Sequence, residues 1–161
     1  MAKEVKTNAM RFLEQKKIPY SMNTYECDEF IDGITVAEKL GQDPEFTFKT
    51  LVAKGKSGTY YCFLLPVAKE LDLKKAAKSV GEKSVELLHV KDINSVTGYV
   101  RGGCTPIGMK KQFMTVVHSS AEALSEFFIS GGRIGTQIKL SPTALVSAIR
   151  GKFDDILLSS D

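Results

Sequence analysis

The chain has 161 residues, 43% hydrophobic and 25% charged, a balance that suits one globular domain with a real core and leaves little room for a second. Its formal charge of +3 is too mild to mark a nucleic-acid-binding protein by electrostatics and sets no barrier to a phosphate-bearing ligand. No apolar leader follows Met1, and no run approaches the roughly 20 apolar residues that span a bilayer, so a cytoplasmic protein with no membrane contact is expected.

Val5, Ala9, Phe12 and Leu13 recur at helical spacing as far as Ile18-Pro19, where proline biases its predecessor out of the helical region, so the first element is an amphipathic helix. A strand over 20–25 follows. Thr35-Val36-Ala37-Glu38 has the form of a capping box, and Val36, Ala37 and Leu40 give a short helix its apolar stripe before Gly41 stops it. The run from Phe46 to Ala53 reads as a strand, and Lys54-Gly55-Lys56-Ser57-Gly58 turns it into a second, Thr59 to Leu65, closed by Pro66. This predicts a hairpin.

Asp72 is placed to cap a helix with Leu73, Ala76, Ala77 and Val80 inward and Lys74, Lys75 and Lys78 outward, ending at Gly81. Strands are expected over 85–90, 115–117, 127–129 and 136–140, with another capping box at Ser119-Ser120-Ala121-Glu122. Ser141-Pro142 starts a last helix whose Leu145, Val146 and Ile149 face the core up to Gly151. Helices interleaved with hairpins, without repeats, predict one mixed α/β domain over 1–161, built on a curved, partly antiparallel, barrel-like sheet with helices around it.

Lys49 is the strongest lead to chemistry. In a strand it shares a face with Leu51 and Ala53, while Phe46, Phe48, Thr50 and Val52 point the other way. An ammonium set against apolar surface loses hydration, which lowers its pKa or demands an anionic partner, and enzymes use both outcomes. The structural alternative is a lysine whose stem lies on apolar surface with its charge in water. His89 and His118 sit in apolar, strand-like contexts that favour structural roles. Cys27, Cys62 and Cys104 are odd in number and far apart, so free thiols are expected and neither a disulfide nor a metal site. The chain has no G-x-S-x-G elbow, H-E-x-x-H helix or phosphate-binding G-x-x-x-x-G-K-[ST] loop. Two glycine pairs remain. Gly98-Tyr99-Val100-Arg101-Gly102-Gly103-Cys104-Thr105-Pro106-Ile107-Gly108 and Ser130-Gly131-Gly132-Arg133 are tight turns able to expose backbone amides to an ester carbonyl or oxyanion, or simply hairpin turns.

Taken in order, Ile18-Pro19-Tyr20, Thr24-Tyr25-Glu26, Lys39-Leu40-Gly41, Phe48-Lys49-Thr50-Leu51, Leu71-Asp72-Leu73-Lys74-Lys75, the segment 98–108 with Lys110-Lys111 behind it, and Ile129-Ser130-Gly131-Gly132 resemble the YbaK/EbsC family of aminoacyl-tRNA deacylases, relatives of the editing domain of bacterial prolyl-tRNA synthetase. The likeness covers nearly the whole chain and is greatest to the Cys-tRNA(Pro) deacylase branch. It implies Lys49 as the functional lysine, with Tyr20, Phe30, Thr50, Tyr99, Gly102, Gly103, Ser130 and Gly131 binding substrate or forming the pocket floor. It implies no cofactor and no metal. The implied partners are the acceptor end of mischarged tRNA(Pro) and prolyl-tRNA synthetase. The family provides no nucleophile of its own; the substrate cysteine's thiol attacks its own ester, which suits a chain without a catalytic triad. Gln137 stands where members often carry an acid, and glutamine keeps a hydrogen bond there but loses charge attraction for a substrate ammonium. Competing readings are an Ala-tRNA(Pro) or other small-residue deacylase that uses water, a non-catalytic module binding tRNA or a synthetase, and an interaction domain with two structural glycine turns.

Overall fold

The computed structural model describes residues 6–25, 33–100, 103–109 and 111–158. In chain order these form α1 (Asn8–Gln15), β1 (Ser21–Thr24), α2 (Gly33–Lys39), β2 (Phe48–Gly55), β3 (Tyr60–Pro66), α3 (Leu73–Ser79) and β4 (Val85–Leu87). There follow α4 (Val90–Thr97), β5 (Met114–His118), a 3-10 helix (Ser119–Ala123), β6 (Phe127–Ser130), β7 (Thr136–Leu140), α5 (Pro142–Ala148) and β8 (Gly151–Asp154). No helix among the described residues is long and apolar enough to cross a membrane.

The mixed α/β class is as expected, but the strands make two sheets where one barrel-like sheet was predicted. A three-stranded antiparallel sheet has the order β1-β7-β6, and a five-stranded mixed sheet has the order β4-β2-β3-β5-β8. They meet at one parallel bridge, Thr47 with Phe128, where the Phe128 N–H donates to the Phe46 carbonyl at 2.9 Å. The barrel does not close because β2 pairs with β4 only from Ala53 to Gly55. Between that pairing and the Thr47 bridge, the outer edge of β2 over 48–51 has no strand beside it among the described residues. Lys49 lies in this gap.

Three clusters fill the interior. Strand alternation puts Phe48 and Leu64 on one face of the large sheet, where they pack with Ala9, Met10 and Leu13 of α1, Phe127 and Ile129 of β6, and Ile138 and Leu140 of β7. Phe48 and Phe127 meet edge to face at 5.1 Å, a geometry that adds about 1 kcal/mol to area burial. Ala53, Phe63 and Val116 point to the opposite face, against Ala76 and Ala77 of α3. Val52 and Cys62 pack with Tyr99 and Cys104.

Local signals performed unevenly. Asp72 caps α3 through bonds from the amides of Lys74 and Lys75, and Ser141 caps α5 through Ala144 N. Leu73, expected inward, is 42% exposed because it is the first residue of α3. Thr35 lies inside α2, which begins at Gly33, so the capping box there is not the start. The run 85–90 yields strand only to Leu87, and the unanticipated α4 follows, stopped by Gly98 at φ +87°. His118 precedes the 3-10 helix and its ring accepts from Ser120 N, displacing the Ser119 box by one residue. The described cysteines, Cys62 and Cys104, are buried free thiols, while Cys27 lies outside the described residues.

Candidate active site

Lys49 is half-buried at the opening in the sheet wall, opposite Leu65 on β3. Among the described residues its ammonium makes no ion pair and no hydrogen bond, although Glu70 contributes a distant attraction. Desolvation holds its pKa below the usual lysine value, with Glu70 opposing the shift. A desolvated cation without a fixed counter-charge is a charge reserved for a ligand more often than a structural one. The arrangement differs from that of a snorkelling lysine, whose head would keep its water.

The parallel bridge places Ser130 beside this lysine in register, because Lys49 and Ser130 each lie two residues beyond the bridged pair. Ser130 Oγ accepts from Gly132 N at 3.4 Å, and Ser130 pairs across β6–β7 with Gln137. Gln137 is 3% exposed and sits between Ser130 and its other cross-strand partner, Asn23. Its amide forms a reciprocal pair with Gln42: Gln42 Nε2 donates to Gln137 Oε1 at 2.6 Å, and Gln137 Nε2 donates to Gln42 Oε1 at 2.9 Å. Thr47 Oγ1 lies 3.2 Å from both Gln42 Oε1 and the Asp43 carbonyl. Sequence reasoning missed Gln42, Thr47 and Asn23. Thr47 was findable, since it alternates onto the face of Lys49.

The two glycine turns come together as anticipated, and their packing is tight. A Cβ on Gly103 would lie 2.7 Å from Arg133 Cα and 3.0 Å from Ile134 N, so only glycine lets these backbones touch. Gly132, at φ +100°, lies against Thr7 and the Tyr99 ring. The amides are otherwise engaged than expected: Gly103 N donates to Val100 O, and Gly131 N donates to Thr136 O, both at 2.9 Å. As placed, these glycines form floor and not oxyanion donors, which leaves Lys49 as the principal positive group. We expect Gly103→Ala to lower stability by about 1–3 kcal/mol through forced separation of the turns, read by thermal or denaturant unfolding, with deacylation falling alongside.

The remaining residues divide by face. Thr50 points away from Lys49, and its Oγ1 is buried without a hydrogen-bond partner. Tyr99 is buried and donates from its hydroxyl to the Ile107 carbonyl at 2.7 Å, so it braces the glycine loop. Tyr20 is partly buried against the core edge, and its hydroxyl donates to Glu14 Oε2 at 3.0 Å. Phe30 and Gly102 lie outside the described residues. His118 Nδ1 meets Ser120 Oγ at 2.9 Å while Nε2 lies 3.5 Å from Asp155, which also pairs with Lys75. That cluster caps the 3-10 helix, and it belongs to the far end of β5 and β8.

A partly desolvated lysine at a gap between two sheets, with no nucleophile–base pair beside it, suits cleavage of an already activated ester by charge and positioning. Over 152 residues the chain is 46% identical to a protein of Enterococcus faecalis (strain ATCC 700802 / V583) that bears the name Cys-tRNA(Pro)/Cys-tRNA(Cys) deacylase EbsC, covering 94% of this chain and 93% of that one. A crystal structure described as a trans-editing enzyme for prolyl tRNA synthetase superposes with a TM-score of 0.80 at 20% identity, covering 97% of this chain and all of that one. The crystal structure of a hypothetical protein superposes at 0.86 and 20% identity over 94% of this chain and 99% of that one. At such identities the two structures establish the fold alone. The class is therefore that of aminoacyl-tRNA deacylases, hydrolases that cut the ester between a tRNA and its amino acid. The aminoacyl-tRNA editing domain model matches residues 33–148, and the chain belongs to that family.

Proposed function

We propose that this protein deacylates Cys-tRNA(Pro) in trans, in the cytoplasm and in association with prolyl-tRNA synthetase, as one domain over its whole length. The observation that carries the reading is Lys49: half-buried, lowered in pKa by desolvation, and without a bonded partner among the described residues. The name borne by the Enterococcus relative supports the cysteine and proline assignments.

In the proposed reaction the substrate cysteine's sulfur bonds to its own ester carbonyl carbon. The carbon–oxygen bond to the ribose breaks, the ribose oxygen leaves and takes up a proton, and water then opens the cyclic thioester. Lys49 binds the aminoacyl end and stabilises negative charge developing on the carbonyl oxygen, while Ser130 and the glycine turns shape the site. Water outside the pocket suffices for the second step. A panel of tRNA(Pro) charged with cysteine, alanine or proline, incubated with purified protein, tests the reading: cysteine should be released fastest, and preferential release of alanine would replace the assignment.

The protein's own cysteines have no part in this chemistry. Burial pushes the Cys62 thiol well above its usual pKa and the Cys104 thiol up to about 11, so both are protonated and poor nucleophiles at neutral pH. The double variant Cys62→Ala/Cys104→Ala is expected to keep near wild-type turnover of Cys-tRNA(Pro), with a stability loss of about 1–3 kcal/mol from the small cavities. Loss of turnover in folded protein would point instead to covalent catalysis by the enzyme.

A further inference from the structure

The Gln42–Gln137 pair joins parts of the chain 95 residues apart and closes a ring of two hydrogen bonds in a buried place. Every side-chain bond to the Gln137 amide comes from a neutral group, Gln42 or Asn23, the latter at 3.4 Å. Gln42 in turn is bonded to Thr47, which bridges to β6 and lies two residues before Lys49 on the same face. On the other side Gln137 is the cross-strand neighbour of Ser130. The pair therefore ties the segment bearing Lys49 to the sheet bearing Ser130, across the seam where the two sheets share a single bridge.

We propose that the Gln42–Gln137 amide pair is a positioning device that fixes Lys49 relative to Ser130, and that its neutrality is a condition of deacylation. This rests on the reading of Lys49 as the functional lysine. The chemistry of the ring sets the condition. Each amide supplies one donor and one acceptor, and the only ionisable group of like shape that can do the same is an un-ionised carboxylic acid. A carboxylate at 137 would set two acceptors against Gln42 Oε1 in a site closed to water, leaving buried oxygen atoms without donors. The side chain at 137 is thus withdrawn from the substrate's ammonium and works through the lysine. Charged groups on the surrounding elements are Lys49 on β2, Asp43 in the loop before it, Lys39 of α2, and Lys139 of β7 with its partner Glu126.

The test is the pH dependence of two glutamate variants, Gln137→Glu and Gln42→Glu, with Gln137→Leu as the uncharged control and Lys49→Ala alongside. The readout is kcat on Cys-tRNA(Pro) divided by the wild-type value at the same pH, with folding followed by circular dichroism. For Gln137→Glu the ratio should be near one at about pH 5, where the buried acid is un-ionised, and fall roughly tenfold by about pH 8. Gln137→Leu should be reduced by a similar factor at every pH. If Gln137→Glu unfolds at the alkaline end, the half-buried Gln42→Glu carries the same expectation. A flat ratio in a folded glutamate variant, high or low, or wild-type turnover by Gln137→Leu, overturns the proposal. An active Lys49→Ala overturns the reading of the lysine instead, and the two failures are distinct.

Discussion

Lys49→Ala is expected to lower kcat on Cys-tRNA(Pro) by about a hundred- to a thousand-fold while the protein stays folded. That factor is typical for loss of one group that stabilises developing negative charge in a site shielded from water. The fold should tolerate the change because the ammonium makes no bond among the described residues and its desolvation is unfavourable to the charged form. Lys49→Arg should fail for a different reason. Guanidinium keeps the charge but spreads it over a planar, longer group that cannot replace a compact ammonium at the same point. The pH profile separates these causes. Desolvation lowers the pKa of Lys49, so a reaction that needs its cation loses rate as pH rises through that lowered value. The descending limb should vanish in Lys49→Arg, whose charge does not titrate, and near-wild-type turnover by folded Lys49→Ala would remove the central claim.

The lysine was legible because strand alternation is local: a cation sharing a face with Leu51 and Ala53 is visible in eight residues, and β2 forms where expected. The ends of α3 and α5 were legible for the same reason, since Asp72 and Ser141 bond to amides two or three residues away. Non-local features were not. β8 is a half-buried edge strand whose identity depends on parallel pairing with β5, thirty-odd residues earlier, and nothing in Gly151–Asp154 alternates strongly. α4 escaped because it buries so little: Val90 is 54% exposed and Thr97 is its one fully buried residue, so it carries no apolar stripe to read.

The site shows the same division. Gly102-Gly103 and Ser130-Gly131-Gly132 announced two turns, and the contact of Gly103 with the Arg133 backbone explains why glycine is required there. What the turns do with their amides was not legible, because the acceptors, Val100 O and Thr136 O, are supplied by backbone geometry. Gln137 was visible only as the residue where an acid might stand. Its partner Gln42 lies in a loop with no distinguishing local pattern, and the pairing depends on how two sheets meet.

The substrate series separates the proposed mechanism from its rival by a wide margin. If the bound cysteine attacks its own ester, Ser-tRNA(Pro) should react far more slowly although the two side chains differ by one atom, because a hydroxyl is almost entirely un-ionised near neutral pH and a poor nucleophile without an adjacent base. The described part of the site offers serine no such base: His118 is committed to capping the 3-10 helix at the far end of β5, and His89 lies exposed before α4. Ala-tRNA(Pro), with no nucleophile at all, should be slower still. A pocket that activates water would instead hydrolyse all three esters at rates differing only by the roughly 10 to 200-fold that small steric changes provide. The measurement is single-turnover deacylation of tRNA(Pro) carrying cysteine, serine or alanine at one pH, followed by the pH dependence of the cysteine reaction. A thiol mechanism adds an ascending limb set by ionisation of the substrate sulfur, below the descending limb set by Lys49. Comparable rates on the three substrates, with no ascending limb particular to cysteine, would exclude attack by the substrate thiol and leave water as the nucleophile.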